Sequence, residues 1–224
     1  MAPFITAISP PELCFADRTD IVVSTCNELN RITSSRKGVA MLERKNCTLY
    51  SGGLQGAESC FGEMAEKWGI KEVNFSFEGR IPARNRNVVQ LTDEELRRGD
   101  ISMELASQMM KRSYYESEKI RKVLQAIFHM VNNGHQIFVV GTIQDDDTVK
   151  GGTGWAVELA KLFNRPVYVY GQVRKGWYTW RHGEWVPEVP RIEHETFVGS
   201  GTRNLTPEGC QAIEQLFVDS FGKP

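Results

Sequence analysis

The stretch Val149-Lys150-Gly151-Gly152-Thr153-Gly154-Trp155-Ala156-Val157-Glu158 decides the fold. It lies between two apolar runs. Gln136-Ile137-Phe138-Val139-Val140 precedes it and is capped by Gly141-Thr142; Pro166-Val167-Tyr168-Val169-Tyr170 follows it. Between the glycines and the second run, Trp155, Ala156, Leu159, Ala160, Leu162 and Phe163 recur at helical spacing. The stretch therefore predicts strand, glycine turn, helix, strand. A glycine turn that opens a helix presents bare backbone N–H groups and the positive end of the helix dipole, a setting for an anion such as phosphate. The plainer alternative is that the glycines only permit a tight turn and close helix–strand packing.

The same logic recurs upstream. Residues 47–50 read as a short strand running into Ser51-Gly52-Gly53-Leu54-Gln55-Gly56-Ala57-Glu58, and a helix continues through Phe61, Met64, Ala65 and Trp68 to Gly69. Residues 73–77 alternate and read as another strand. Residues 20–26 form a further apolar run ending in Ser24-Thr25-Cys26, with a helix expected from Asn27 to about Arg44. Thr25 and Thr142 thus join the glycine turns at strand ends, where parallel α/β sheets collect their ligands.

Elsewhere the chain is less regular. Residues 78–100 are polar and read as irregular; Arg80, Arg84 and Arg86 suit either a loop reaching over a site or a solvated basic loop. Residues 101–133 are helical in two segments, led by Met103, Leu105, Met109 and Met110. Two aromatic stretches around His182-Gly183 signal a hairpin whose indoles either stack on a base or form a satellite core. A final helix is announced by Thr206-Pro207-Glu208, a cap, a first-turn proline and a first-turn acid.

With 224 residues and net charge -1, the chain is sized for one large domain and gives no bulk-charge support for nucleic acid. The reading divides it into an N-terminal arm at 1–19 and a single α/β domain at 20–224. Within the domain, 171–195 are hairpin and connector, and 196–224 a C-terminal strand–helix unit. Met1 to Pro11 lacks the positive start and long apolar run of a signal peptide, and no stretch nears the ~20 apolar residues a membrane span needs. The five scattered cysteines (Cys14, Cys26, Cys47, Cys60, Cys210) read as reduced thiols, so a cytoplasmic, membrane-free protein is expected. The four histidines show no metal spacing. Asp145-Asp146-Asp147 admits a divalent cation but fits no calcium loop, so neither metal nor cofactor is expected.

The motifs resemble a known family. The segment 50–58 resembles the S-G-G-x-x-G-A/V-D/E signature of the SLOG superfamily, and Gly151-Gly152-Thr153-Gly154 with Glu158 resembles its second motif, G-G-x-G-T-x-x-E. The likeness is nearest to the molybdenum-carrier-like and DNA-processing-A-like branches, with the cytokinin-activating phosphoribohydrolases more distant. It covers about residues 20–170. Lys150 stands where the phosphoribohydrolase motif has proline, Trp155 where it has threonine, and Glu58 where most relatives carry aspartate. The segment Phe197-Val198-Gly199-Ser200-Gly201-Thr202-Arg203 looks like the strand and G-x-G-T/S-R turn that opens many relatives, yet it sits at the C-terminus. It is either a permuted or duplicated edge unit returning to the same ligand site, or an added structural element.

The resemblance implies a three-layer α/β/α Rossmann-like domain with a mainly parallel sheet. It implies a nucleotide or nucleotide-derived phosphorylated ligand held by Ser51, Gly52, Gly53, Gly56, Gly151, Gly152, Thr153 and Gly154. Gly201, Thr202 and Arg203 are a candidate phosphate clamp. Glu158 and Glu58, each just inside a helix behind a glycine turn, are candidates for acid–base work in hydrolysing an N-glycosidic bond. The alternatives are a non-catalytic carrier or sensor of a phosphorylated cofactor or an oxyanion such as molybdate, and single-stranded DNA handling, against which the neutral charge argues. Relatives with this fold are commonly dimers, so a homodimer is implied by resemblance and not fixed by the residues.

Overall fold

Four neighbouring strands hold the centre: β1 (Thr48–Ser51), β8 (Thr196–Gly201), β4 (Gln136–Gly141) and β5 (Val167–Gly171). Their residues alternate between two cores. Ile137, Val139, Val167, Val169 and Val198 pack on one face; Phe138, Val140, Tyr168, Tyr170 and Phe197 pack on the other. Because both faces are covered, these strands read in sequence as continuous apolar runs. The computed structural model describes residues 42–115 and 117–224. The expected arm, the strand at 20–26 with Thr25 and Cys26, Cys14, and nearly all of the helix at 27–44 lie outside them.

Among the described residues the sheet has eight strands in the order β3-β2-β1-β8-β4-β5-β6-β7. The first six, which include β2 (Lys71–Phe77) and β3 (Val88–Leu91), run parallel; β6 (Gly176–Arg181) and β7 (Glu184–Pro187) are antiparallel. One face carries α1 (Ala57–Lys67) and α6 (Pro207–Phe221). The other carries α2 (Asp93–Arg97), α3 (Asp100–Met110), α4 (Glu118–Asn133) and α5 (Thr153–Leu162). This is the expected three-layer, mainly parallel α/β domain with an aromatic hairpin. The chain runs outward from β1 to β3, then crosses to β4 on the far side of β8. The strand order reverses there, and a crevice opens at the carboxyl ends of β1, β8 and β4.

The C-terminal unit is not at an edge. β8 sits between β1 and β4, with Val198 beside Tyr50 and Gly201 beside Val140. Gly199 makes this position tolerable: a Cβ there would lie 2.5 Å from the Phe61 ring of α1, so the helix packs directly on the strand backbone.

Three further points differ from the sequence reading. Residues 78–100, expected irregular, contain β3 and α2; Thr92 and Glu95 form a reciprocal capping box that starts the helix. Leu105 and Met109, expected inside, are exposed along with Ile101, because α3 turns Met103, Ala106 and Met110 inward. Cys60 and Cys210, expected as separate thiols, are joined by a disulfide between α1 and α6. Their 150-residue separation conceals the pairing, which exists because β8 inserts beside β1 and brings α6 onto α1. No described helix is long and apolar enough to cross a membrane.

Candidate functional site

The first glycine turn leaves β1 and enters α1. Gly56 has φ +95°, and a Cβ there would lie 2.5 Å from the carbonyl oxygens of Thr202 and Arg203. The turn therefore docks on the third glycine segment, and the Ala57 N–H donates to the Thr202 carbonyl at 3.0 Å. Glu58 follows in the first turn of α1 and is buried. Its carboxylate accepts from the Leu54 N–H at 3.0 Å and from the Ser200 hydroxyl at 3.1 Å. Burial raises the Glu58 carboxyl above the ordinary carboxylate range and outweighs the Leu54 N–H, Arg80, Ser200 and Arg203, all of which pull it down.

Arg80 completes this wall. A Cβ on Gly52 would stand 2.8 Å from Arg80 Nη2 and 2.9 Å from Glu58 Oε2, so the missing side chain leaves the space they share. Arg80 Nη1 is buried without a hydrogen-bond partner among the described residues. Burial lowers the guanidinium below its ordinary value; Glu58 opposes this and Arg203 adds to it. The other two arginines of the basic loop behave differently. Arg84 forks onto buried Glu72 at 2.8–3.2 Å, and Arg86 pairs with Glu66. The N–H groups of Ala83 and Arg84 bond the Gly53 carbonyl at 2.8 and 3.1 Å. The loop thus straps the first glycine turn and delivers one arginine to the crevice.

The second turn, Lys150 to Thr153, opens α5. It is held from outside by Arg112, just beyond α3. Nη1 donates to the carbonyls of Val149 (3.0 Å) and Gly151 (3.3 Å), and Nη2 to Thr148 Oγ1 (2.8 Å) and Gln144 Oε1 (3.2 Å). Asp146 accepts from the Thr148 N–H and hydroxyl, so it closes the preceding loop on itself. Trp155 turns into the core against Tyr114, which leaves the crevice clear of its ring. Glu158 is buried elsewhere. Its Oε1 accepts from Lys161 Nζ at 2.9 Å, and that ammonium lies 3.6 Å from the centroid of Trp180 and 5.0 Å from that of Trp185. One turn into α5, the helix has rotated Glu158 away from the glycines toward the hairpin. The hairpin indoles accordingly form a satellite core.

The third segment leaves β8 as Ser200-Gly201-Thr202-Arg203-Asn204. Gln172, after β5, fixes its far end: it accepts from the Thr206 N–H at 2.8 Å and donates to the Asn204 carbonyl at 3.1 Å.

The three segments meet in one cavity of about 520 Å³. Of the sequence candidates, Glu58, Thr142, Gly151, Gly152, Thr153, Gly201, Thr202 and Arg203 line it. Arg80, Lys150, Gln172 and Ser200 join them, with Val123 and Ile127 of α4 as an apolar wall. Ser51, Gly53, Gly56 and Gly154 shape the turns behind the lining; the Ser51 hydroxyl is 3.4 Å from the Gly53 N–H, and a Cβ on Gly154 would meet the Val149 carbonyl. Glu158 is not among the lining residues, and Thr25 lies outside the described residues. Arg112, Gln172 and the α4 wall carry no local sequence signal; their roles come from tertiary contacts. Ser200 lies inside the Gly199–Arg203 motif. Among the described residues no group of His, Cys, Asp and Glu is arranged to hold a metal.

No protein-family model matches the chain, and no curated protein matches its sequence. Among solved structures, a crystal structure of a protein from Syntrophus aciditrophicus named "Putative molybdenum carrier protein" is similar over 80% of this chain and 98% of that one, at 14% identity and TM-score 0.45. At that distance the likeness carries no conclusion about ligand or activity.

Proposed function

We propose that the cavity binds a nucleotide or related phosphorylated ligand and holds it without cleaving it. The observation that carries this reading is Arg80: a half-buried guanidinium that lines a cavity shared by three glycine turns, with its buried Nη1 unpaired among the described residues. A buried donor on a cationic group is costly to leave unpaired, and an anion in the cavity would complete it. Arg203 and Lys150 add positive charge, and the N-terminal turns of α1 and α5 border the same space. The apolar wall of Val123 and Ile127 suits a base or other flat group. The lining contains one carboxylate, Glu58, and its hydrogen bonds to Ser200 and Leu54 hold it in place. Glycoside cleavage by an acid–base pair needs two carboxylates. With Glu158 committed to Lys161, the second is lacking among the described residues.

A panel of nucleoside monophosphates, inorganic phosphate and molybdate tests this by thermal shift, with released base assayed in parallel. The reading predicts stabilisation by at least one nucleotide and no base release. Release that disappears in Glu58→Gln would overturn the holding role. Stabilisation by molybdate alone would overturn the nucleotide.

A further inference from the structure

The Cys60–Cys210 pair joins two segments that each furnish part of the cavity lining. Cys60 lies in the first turn of α1, two residues after Glu58; Cys210 lies in the first turn of α6, seven residues after Arg203. Their Cα atoms are 6.3 Å apart, inside the span a disulfide bridges without backbone movement. The segment between the two helices is tightly keyed: Ala57 N–H bonds Thr202 O, and the Gly56 backbone abuts Arg203. A covalent link between the helices therefore fixes how Glu58 stands against Thr202 and Arg203. Cys47, the other described cysteine, is a poor competitor for exchange. It is buried, and burial together with Glu195 pushes its thiol up to about 11.

We propose that Cys60 and Cys210 form a reversible thiol–disulfide pair that clamps the first turns of α1 and α6 and thereby sets the ligand affinity of the cavity. The affinity part rests on the nucleotide reading above; the clamp itself does not. The oxidant is a low-molecular-weight disulfide of the glutathione class. Cys210, the more exposed of the two, attacks one sulfur of that disulfide as the thiolate and releases one thiolate. The Cys60 thiolate then attacks the Cys210 sulfur of the mixed disulfide and releases the second. The two leaving thiolates take up the two protons given by the cysteines. The protein pair is oxidised by two electrons and the small disulfide is reduced to two thiols; excess thiol reverses both steps.

The full chain is equilibrated in oxidised or reduced glutathione. The crosslink is mapped by peptide mass, amide exchange is followed at Ala57 and at 202–206, and adenosine monophosphate affinity is measured by calorimetry. The crosslinked peptide is expected in the oxidised sample alone, with exchange about tenfold slower and affinity about tenfold tighter than in the reduced sample. The Cys60→Ser/Cys210→Ser double variant, or Cys210→Ser if the double variant does not fold, is expected to give reduced-form values in both buffers. Absence of the crosslink in the oxidised sample, or a crosslink that leaves exchange unchanged, overturns the clamp. Slower exchange with equal nucleotide affinity in both forms overturns the control of affinity. Slower exchange with nucleotide binding in neither form leaves the clamp standing and removes the nucleotide reading.

Discussion

At the scale of single residues, Arg80 and Glu58 are the charged pair of the proposed site. Among the described residues Arg80 Nη1 has no hydrogen bond to lose, so Arg80→Met is expected to leave folding stability unchanged or slightly improved. The same change should weaken nucleotide binding about tenfold to hundredfold, the ~1.5–3 kcal/mol that a hydrogen bond to a charged group contributes. Calorimetry and urea denaturation on one preparation check both halves. Glu58 gives a pH signature. Its folded-state carboxyl is raised above the ordinary 4.5 by burial. The folded protein therefore holds that proton more tightly than the unfolded chain. The associated stability is complete below pH 4.5 and is lost as pH rises through the folded-state value. Glu58→Gln removes this dependence, so its stability relative to wild type should improve as pH is raised from 5 to 8 in urea titrations. A difference that stays flat over that range would show Glu58 ionised in the fold.

At the scale of elements, the glycine turns and the apolar runs beside them were legible because local chemistry writes them. A strand buried on both faces has to be apolar throughout, and a turn with positive φ against a neighbouring backbone has to be glycine. The resemblance to a known family added the ligand class expected there. What supports the turns was not legible. Arg112 reaches residues 32 to 39 positions away, and nothing in the Lys111-Arg112 pair marks the reach. Glu158 points away from the glycine turns, against the sequence expectation, for a related reason. A position one turn into a helix is fixed by how that helix lies on the sheet, and α5 turns it toward Lys161 and Trp180. The support role is measurable: Arg112→Ala removes four hydrogen bonds, one to the second turn and three to the loop that leads into it, and should cost about 1–3 kcal/mol. It should also speed exchange of the Lys150 N–H, which donates to Thr142 O at 2.9 Å. A variant that exchanges like wild type would show that the turn holds itself.

At the scale of the molecule, the C-terminal unit changed most between sequence and structure. Its motif was readable, but its place was not, because strand order depends on which edges pair across the whole sheet. As the strand between β1 and β4, β8 satisfies both neighbours and carries the segment that joins the two other glycine turns. Deleting residues 196–224 should therefore unfold the domain, since it strips two strands of their partner and α1 of α6. Circular dichroism of the truncated chain would show loss of the cooperative transition. A folded, soluble fragment would contradict the central placement.

On the proposed reading, the three glycine turns act as one site. Amide chemical shifts followed during titration with a nucleoside monophosphate test it most directly. Saturating shifts with one common dissociation constant are expected at Gly52-Gly53, Gly151-Gly152-Thr153 and Thr202-Arg203-Asn204. Shifts confined to one of the three segments, or absent from all of them while the ligand binds, would contradict it.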